Sequence, residues 1–236
     1  MQLSIKLPSI HEQEKIGQLF QSLDKTITLH EEKQRQLEQL KKALLQKMFA
    51  DETGYPALRF KGFTSTWEQQ ELGEISKVTI GEFVIKTKQS DNGLYPVYNG
   101  GTSYTGKYEE YNNNGPKILI SARGANAGYV NFIEGKYWAG NSCYSVGITN
   151  EEYSVRYLYQ YLMANQRLLT GYQQAANIPS VSKKDVEHFI FKSPRLKEQN
   201  KIGLLFTNID NLITLHQHKI DNLKLLKRAL LQKMFV

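Results

Sequence analysis

The sequence predicts an α+β protein in which one mixed α/β domain is flanked by two long helices that form an antiparallel coiled coil. Residues 7–49 recur as residues 193–235 at a constant offset of 186, and 24 of the 43 aligned positions are identical. All 14 Tyr and both Trp lie between the two copies. This arrangement predicts four segments: a short strand within residues 1–8, a first helix at 9–50, a central domain at 51–192 and a second helix at 193–236.

Each copy of the repeat has the spacing of a long amphipathic helix, with seam residues at alternating steps of four and three, as in a coiled coil. The seam comprises Leu23, Ile27, His30, Gln34, Leu37, Lys41, Leu44 and Met48 in the first copy, and Ile209, Ile213, His216, Ile220, Leu223, Lys227, Leu230 and Met234 in the second. We assign helix–helix or partner contacts to the apolar members Ile27, Leu37, Leu44, Met48, Ile213, Ile220, Leu223, Leu230 and Met234. Leu40 and Leu226 are expected to widen the stripe. The two helices are expected to pair within one chain, with pairing between chains as the alternative.

The start of each helix carries sequence signals. Pro8 and Pro194 precede the two helices, and Ser9 with Glu12 has the spacing of a capping box. The repeat also places a glycine inside each helix, at Gly17 and Gly203, where it costs about 1 kcal/mol relative to alanine. Each glycine is therefore expected to mark a close contact or a short break.

The repeat extends in front of the helices. Residues 3–6 align with residues 189–192, and large apolar residues occupy alternate positions in both segments, in the manner of a strand. The second copy closes the central domain, so the first is interpreted as the last strand of a preceding domain, and the chain as a piece of a two-module parent. An unrelated short terminal strand is the alternative.

The central segment has the mixed pattern of an α/β domain. Residues 117–120 and 128–132 are predicted strands, and residues 99–115 are predicted loops because Gly and Asn are dense there. Residues 153–170 are a predicted helix, and Ser182 is expected to cap another short one.

Two polar and aromatic stretches of this domain are candidates for contacts with DNA. They contain Lys86, Lys88, Asn99, Tyr104, Lys107 and Tyr108 in the first, and Ser121, Arg123 and Asn126 in the second. Arginine pairs with guanine and asparagine with adenine in the major groove, while lysine and hydroxyl groups hold phosphates. The alternative is that the tyrosines pack in the domain and the asparagines form turns.

The charge distribution and the absence of known motifs narrow the possible functions only a little. The net charge of +7 arises in the flanks, since Lys+Arg minus Asp+Glu is 8 − 6 for residues 1–49, 14 − 14 for 50–192 and 8 − 3 for 193–236. Phosphate-binding glycine motifs, catalytic constellations and metal-ligand spacings are absent from the sequence, so we expect no catalysis and no metal in this chain. The single Cys143, the lack of a long apolar run and the lack of a secretion signal favour the cytoplasm.

These residues resemble the specificity subunits of type I restriction–modification systems. The resemblance covers nearly the whole chain and is carried by residues 58–63, 67–68 and 72–75 as a domain-opening motif, by residues 95–101 and 118–124 in the interior, and by residues 177–180, 194 and 198–202 as a closing motif. It implies a non-catalytic subunit in which target-recognition domains read a bipartite DNA sequence and conserved helices hold them apart.

The resemblance also implies partners. The helices would dock methyltransferase subunits, which use S-adenosylmethionine to methylate a flipped adenine. A motor and endonuclease subunit would use ATP and Mg to cleave DNA. One recognition domain instead of two indicates a half or truncated form, which could act as a homodimer or be a silent copy that donates its domain by recombination. A coiled-coil adaptor without DNA specificity is the remaining alternative.

Overall fold

The computed structural model describes residues 8–171 and 179–234. The chain divides into two compact units: residues 44–206 form a globular unit, and the residues before 44 and after 206 form a helical unit. The strand predicted at residues 3–6 lies outside the described residues.

The elements follow one another in the chain as a long helix, a mixed α/β region and a second long helix. In order they are α1 (Ile10–Lys47), β1 (Glu68–Glu71), α2 (Leu72–Ile75), β2 (Ser76–Ile80), a 3-10 turn (Lys86–Lys88), β3 (Tyr95–Tyr98), β4 (Gly106–Tyr108), β5 (Asn113–Asn114), β6 (Lys117–Ser121), β7 (Val130–Ile133), β8 (Lys136–Ala139), β9 (Cys143–Ile148), α3 (Val155–Ala164), α4 (Gln166–Gly171), α5 (Lys183–Glu187), β10 (Ile190–Ser193) and α6 (Leu196–Met234). The α+β class predicted from the sequence is confirmed.

Both long helices run without interruption through the repeated glycines, so neither Gly17 nor Gly203 marks a break. At the start of α1, the Ser9 hydroxyl accepts a hydrogen bond of 3.4 Å from the Glu12 amide, as the capping spacing predicts. The Gln13 side chain donates to the carbonyl of Pro8 at 2.9 Å. The first helix therefore begins where its sequence signals place it.

The helical unit is an antiparallel pair. The Lys227 ammonium lies 2.5 Å from the Asp24 carboxylate, and Lys41 lies 2.6 Å from Asp210. Asp24 and Lys41 correspond to Asp210 and Lys227 through the repeat, so one ion pair is the repeat mate of the other. Only an antiparallel pair with approximate two-fold symmetry places both contacts at equivalent positions, and the predicted antiparallel coiled coil is confirmed.

The seam residues of the helical unit are shielded relative to their neighbours. Ile27 and Ile220 are buried, and Leu37, Ile213, Leu223 and Leu230 are partly buried. At the middle of the pair, the Nδ1 atoms of His30 and His216 lie 3.0 Å apart. The expectation that Leu40 and Leu226 widen the buried stripe is wrong, because these side chains are 49% and 47% exposed. The buried seam is thus narrow.

The globular unit contains two four-stranded sheets and a two-stranded ribbon. The first sheet has the order β2-β9-β6-β7 and is antiparallel throughout. The second has the order β4-β3-β8-β5 and includes one parallel pair, β3 with β8. The ribbon pairs β1 with β10, so the opening and closing strands of the domain lie side by side.

Local predictions for this domain are largely confirmed. Strands occupy 117–121 and 130–133, and Ser182 caps α5 in a complete capping box with Asp185. The helix predicted at 153–170 is instead two helices, α3 and α4, because Asn165 ends α3 by bonding back to the Tyr161 carbonyl. The loop prediction for 99–115 is wrong in part, since β4 and β5 lie within it as short strands that a Gly- and Asn-rich pattern does not reveal.

The end of α1 belongs to the core of the globular unit. Met48 is 3% exposed, and the Phe49 ring stacks on Phe206 at a centroid distance of 6.0 Å. Leu44 packs against the same core. Leu44 and Met48 thus pack in a core that also contains Phe206 of α6, and their assignment to the helix–helix or partner interface stays a prediction. Met234, assigned to the same interface, is 37% exposed.

The start of α6 is fixed to the domain by a buried ion pair and a close backbone approach. The Arg59 guanidinium donates two hydrogen bonds of 2.8 Å to the Glu198 carboxylate, which is 1% exposed. A Cβ atom on Gly203 would lie 3.0 Å from the Tyr157 amide nitrogen and 3.1 Å from the Arg156 Cβ. Gly203 therefore marks a close contact between α6 and the start of α3.

Candidate nucleic-acid interface

Four loops of the globular unit meet around Gly100 and form the Gly100 loop cluster, defined as residues 99–104, 122–128, 140–142 and 179–181. The Ala122 amide donates to the Ser142 carbonyl at 2.7 Å, and the Val181 amide donates to the Ala122 carbonyl at 2.9 Å. The Gly124 amide donates to the Pro179 carbonyl at 2.9 Å. The loops therefore hold one another through backbone hydrogen bonds.

Gly100 lies close to two of the other loops, at Arg123 and Ser142. Its φ is +82°, a conformation that favours glycine. A Cβ atom there would lie 2.9 Å from the Arg123 carbonyl oxygen and 3.0 Å from the Ser142 Cβ. The Gly100 amide donates to the Cys143 sulfur at 3.0 Å. A larger residue at this position would push the loop that contains Arg123 away from its neighbours.

The loop between β6 and β7 presents two exposed polar side chains from this fixed backbone. Arg123 forms an isolated β-bridge with Ser180, and Gly124 follows it with a φ of +90°. The Tyr129 amide donates to the Asn126 carbonyl at 2.9 Å, which closes the loop. The side chains of Arg123 and Asn126 are both exposed. The hydrogen bonds thus hold the main chain of this loop in place, while the side chains of Arg123 and Asn126 extend into solvent.

A second exposed segment lies at the 3-10 turn and β4. Lys86 and Lys88 are exposed and Lys107 is partly exposed. Ser90 and Lys107 exchange backbone hydrogen bonds of 3.0 and 3.1 Å, so the turn and β4 are joined. Tyr104 is 53% exposed, and its ring lies 6.5 Å from that of Tyr98. The three lysines therefore lie on joined segments of the domain, and Tyr104, in the Gly100 loop cluster, adds an exposed aromatic ring.

Three of the candidate residues make hydrogen bonds within the domain. Tyr108 is 6% exposed, and its hydroxyl bonds both the amide and the carbonyl of Ile85. Ser121 is 2% exposed and donates to the Gly101 carbonyl at 3.3 Å. The partly exposed Asn99 accepts from the Ser142 amide at 3.2 Å. We therefore remove Tyr108 and Ser121 from the set of candidate DNA contacts, because a buried side chain cannot reach a duplex.

The structure also adds exposed cations that the sequence pattern left out. Lys183 and Lys184 follow the Gly100 loop cluster directly and are exposed. Burial raises the pKa of the Tyr144 hydroxyl, and the positive charges of Arg123 and Lys183 both lower it. In the sequence, Lys183 was part of a helix cap, and only the fold brings it near Arg123.

One further exposed lysine lies on the second sheet. The Lys136 ammonium is 4.3 Å from the centroid of the Tyr111 ring and 5.9 Å from that of Tyr95. A hydrogen bond with Tyr111 raises the pKa of Lys136, which favours its charged form. Lys136 is therefore a positioned cation, and the aromatic spacing that holds it is visible only in three dimensions.

Two groups in the core of the domain have strongly raised pKa values. Burial raises the pKa of the Cys143 thiol to about 11 and that of the Tyr137 phenol to about 12, so both are neutral near pH 7. Among residues 8–171 and 179–234, groups of three or more His, Cys, Asp or Glu suited to a metal ion are absent.

The family model for the type I restriction modification DNA specificity domain matches residues 64–225. The chain belongs to this family. The match spans the Gly100 loop cluster, the lysine-bearing turn and most of α6.

Similar proteins carry the same fold. The structure of a type I restriction–modification S subunit from Mycoplasma genitalium matches with a TM-score of 0.76 and 20% identity, covering 97% of this chain and 62% of that one. The HsdS subunit of Thermoanaerobacter tengcongensis matches with a TM-score of 0.60 and 20% identity, covering 98% and 60%. At this identity the likeness shows the fold alone.

Sequence relatives agree with the family. A type I restriction enzyme MjaX specificity subunit of Methanocaldococcus jannaschii is 23% identical over 97% of this chain and 57% of its own length. A type I specificity subunit of Mycoplasma genitalium is 23% identical over 80% of this chain and 50% of its own. The chain therefore spans about half the length of the curated relatives it matches. In the part of the chain that the structure covers, none of the helices has the length and apolarity needed to span a bilayer.

Proposed function

We propose that this chain is a non-catalytic subunit of a type I restriction–modification complex and that its globular unit reads one half of a bipartite site in double-stranded DNA. The observation that supports this most strongly is the Gly100 loop cluster. It holds the backbone of Arg123 and Asn126 by hydrogen bonds between four loops while both side chains stay exposed. A fixed backbone with free polar heads is what reading base edges requires, because ordering flexible side chains and loops weakens binding.

The residue types suggest a division of tasks. Arg123 can bond both acceptors of a guanine, and Asn126 can bond the acceptor and donor of an adenine. Lys86, Lys88 and Lys107 are placed to contact phosphates, which position a protein on DNA without reading sequence. Because the domain as a whole is neutral, these local cations, rather than net charge, would orient it.

The helical unit is proposed to dock the methyltransferase subunits. Leu29 and Leu215 are equivalent through the repeat and are 54% and 48% exposed. Leu40 and Leu226 are likewise equivalent and exposed. Large apolar side chains that stay exposed at equivalent positions of both helices favour an external partner, and their repetition favours two similar partners.

The chemistry of the complex would reside in those partners. The methyltransferase subunits would bind S-adenosylmethionine, and a motor and endonuclease subunit, joined through the complex, would use ATP and Mg. Since such a complex acts on cellular DNA, we place the chain in the cytoplasm. A homodimer would supply a second reading domain and a symmetric target.

The variant Arg123→Ala tests the reading role. In a complex with the matching methyltransferase subunit, this variant should bind the DNA sequence that the complex methylates more weakly, by about 1–3 kcal/mol, the usual range for one bidentate base contact. Binding to unrelated DNA should be unchanged. Competition binding with target and scrambled duplexes measures both quantities.

Lys136→Ala is the control, since it removes an exposed cation outside the Gly100 loop cluster; any loss of binding that it causes should be equal on target and scrambled DNA. Equal loss on target and scrambled DNA in Arg123→Ala would remove Arg123 from the reading surface. Binding that is insensitive to salt for the wild-type complex would favour the adaptor alternative, because phosphate contacts weaken as salt rises.

A further inference from the structure

The segment that follows the Gly100 loop cluster brings a lysine close to Arg123. Arg123 and Ser180 form an antiparallel bridge, and the Val181 amide donates to the Ala122 carbonyl at 2.9 Å. Lys183 comes three residues after Ser180 and begins α5. Its side chain is exposed, as is that of Arg123. The loop that carries the proposed base-reading arginine is therefore paired with the segment that leads to this lysine.

The start of α5 is held in place by its own capping residues. The Ser182 hydroxyl accepts from the Asp185 amide at 3.1 Å, and the Ser182 amide donates to the Asp185 carboxylate at 2.9 Å. This is a complete capping box, which restrains the residues between its two members. Val186, on the same helix, is buried in the core of the domain. The backbone of Lys183 is thus fixed, while its side chain stays exposed.

Tyr144 connects this helix start with the loop that carries Arg123. It lies opposite Ile120 of β6, the strand that leads into that loop, and it is 9% exposed. Burial raises the pKa of its hydroxyl, whereas the charges of Arg123 and Lys183 and a hydrogen bond from the Lys183 backbone amide lower it. One nearly buried phenol therefore lies near both cations and contacts the backbone of one of them.

The outer surface at the start of α5 is cationic. The Lys183 ammonium lies 3.2 Å from the Glu187 carboxylate, but the Lys183 side chain is still 52% exposed. An exposed pair of this kind contributes little to stability, so a stronger anion can displace the carboxylate. Lys184 is also exposed, whereas Asp185 and Glu187 are partly buried. A phosphate is the anion that fits such a site beside a base-reading arginine.

We propose that Lys183 contacts the DNA phosphate next to the base that Arg123 reads, and that Tyr144 is a positioning residue that keeps the two cations at a fixed spacing. This inference rests on the proposed reading of DNA by the globular unit. A phosphate contact sets the register of a protein on the duplex without reading sequence. The fixed spacing then directs Arg123 to one base pair, so the lysine and the arginine have separable effects.

The test uses the full chain in complex with the matching methyltransferase subunit, and duplexes of the sequence that the complex methylates. One phosphate at a time is replaced by an uncharged methylphosphonate, and each base pair is replaced in turn. The base pair read by Arg123 is the one whose replacement no longer matters in Arg123→Ala. For the wild-type chain, a methylphosphonate within about two nucleotides of that base pair should weaken binding about two- to fivefold, the range for one exposed pair of opposite charges.

Lys183→Ala should bind target and scrambled DNA about two- to fivefold more weakly and should no longer respond to that methylphosphonate. The slope of its log affinity against log salt should be smaller by about 1. Lys77→Ala is the matched control, since Lys77 is also an exposed lysine of the first sheet but lies opposite Gly147, three residues along β9 from Tyr144. It should keep both the slope and the response.

Tyr144→Phe removes the hydroxyl and keeps every charge. It should lower the preference for target over scrambled DNA about two- to tenfold, the range for one hydrogen bond, and spread the methylphosphonate response over neighbouring phosphates. A loss of stability alone would not spread that response. An unchanged preference and response in Tyr144→Phe would remove the positioning role.

Two further results separate this inference from the proposed function. Lys183→Ala that still responds to every methylphosphonate, in a complex whose wild-type form prefers the target, would overturn the inference and leave the reading of DNA intact. A wild-type complex without preference for the target would overturn the proposed function and the inference with it.

Discussion

The starts of α1 and α6 have nearly the same sequence and very different surroundings. Both begin after a proline, both place a glutamine side chain on the proline carbonyl, and both carry glutamate, isoleucine and glycine at equivalent positions. In α6 the globular unit buries Glu198 and Ile202, whereas Glu12 in α1 is exposed.

The comparison separates what local sequence determines from what packing determines. The helix and the hydrogen bond from the glutamine side chain to the proline carbonyl form in both copies, so local interactions suffice for them. Burial of the glutamate and the close approach at the glycine occur only where a domain is present. The same substitutions should therefore have different effects in the two copies.

The largest contrast is expected for alanine at the two glutamates. Glu198→Ala leaves Arg59 buried without its partner and should lower the free energy of unfolding of the globular unit by about 3 kcal/mol. Glu12→Ala should leave it unchanged. Urea unfolding followed by the fluorescence of the buried Trp67 measures both. Similar midpoints for the two variants would show that the Arg59–Glu198 pair does not hold α6 to the domain.

A smaller contrast of opposite sign is expected at the two glycines. Gly203→Ala introduces a Cβ against the Tyr157 amide and should destabilise the globular unit by about 1–3 kcal/mol, the usual effect of overpacking. Gly17→Ala should stabilise the helical unit by up to about 1 kcal/mol, because alanine favours the helix and the site is open. Hydrogen exchange of α1 and of the domain separates the two effects. A destabilising Gly17→Ala would reveal a contact at α1 in the chain itself.

The smallest expected effect is the dependence of the stability of the helical unit on pH, through the contact between His30 and His216. Burial lowers the pKa of His216, and the charges of His30, Lys219 and Lys33 lower it further. Because the folded-state pKa lies below the unfolded value, the helical unit should be most stable above about pH 6.5 and should lose stability as pH falls through the folded pKa. Thermal unfolding at several pH values measures this loss.

His216→Gln is the matched variant, with His218→Gln, on the exposed face, as its control. The first should flatten the pH dependence and the second should retain it. An unchanged slope in His216→Gln would show that the His30–His216 contact does not sense protons.

Most of the fold follows from the sequence because the repeat and the seam are long, regular signals. Ile27 and Ile220 occupy buried seam positions as their spacing predicts. Leu40 does not, because its burial depends on the width of the helix contact, which periodicity alone does not give. Leu44 and Met48 also occupy seam positions, but they pack against an aromatic core that includes Phe49. The spacing of the seam alone does not show this.

The candidate interface was less predictable. Arg123 and Asn126 are exposed, as a polar loop after an apolar strand leads one to expect, and their contact with DNA stays a prediction. Tyr108 was a candidate because tyrosine is a residue type that can contact DNA. Its hydroxyl forms hydrogen bonds with Ile85, and only the fold shows them. Lys183 lies about 60 residues from Arg123 in sequence, so their proximity arises from the meeting of four loops, which no local pattern encodes.

Methylome sequencing of cells that produce this chain together with its matching methyltransferase subunit tests the central claim most directly. We expect N6-methyladenine within one reproducible bipartite motif, and a change of that motif when residues 99–128 are replaced by those of a relative. Methylation without a defined motif, or a motif that is unchanged by that replacement, would show that this domain does not read DNA.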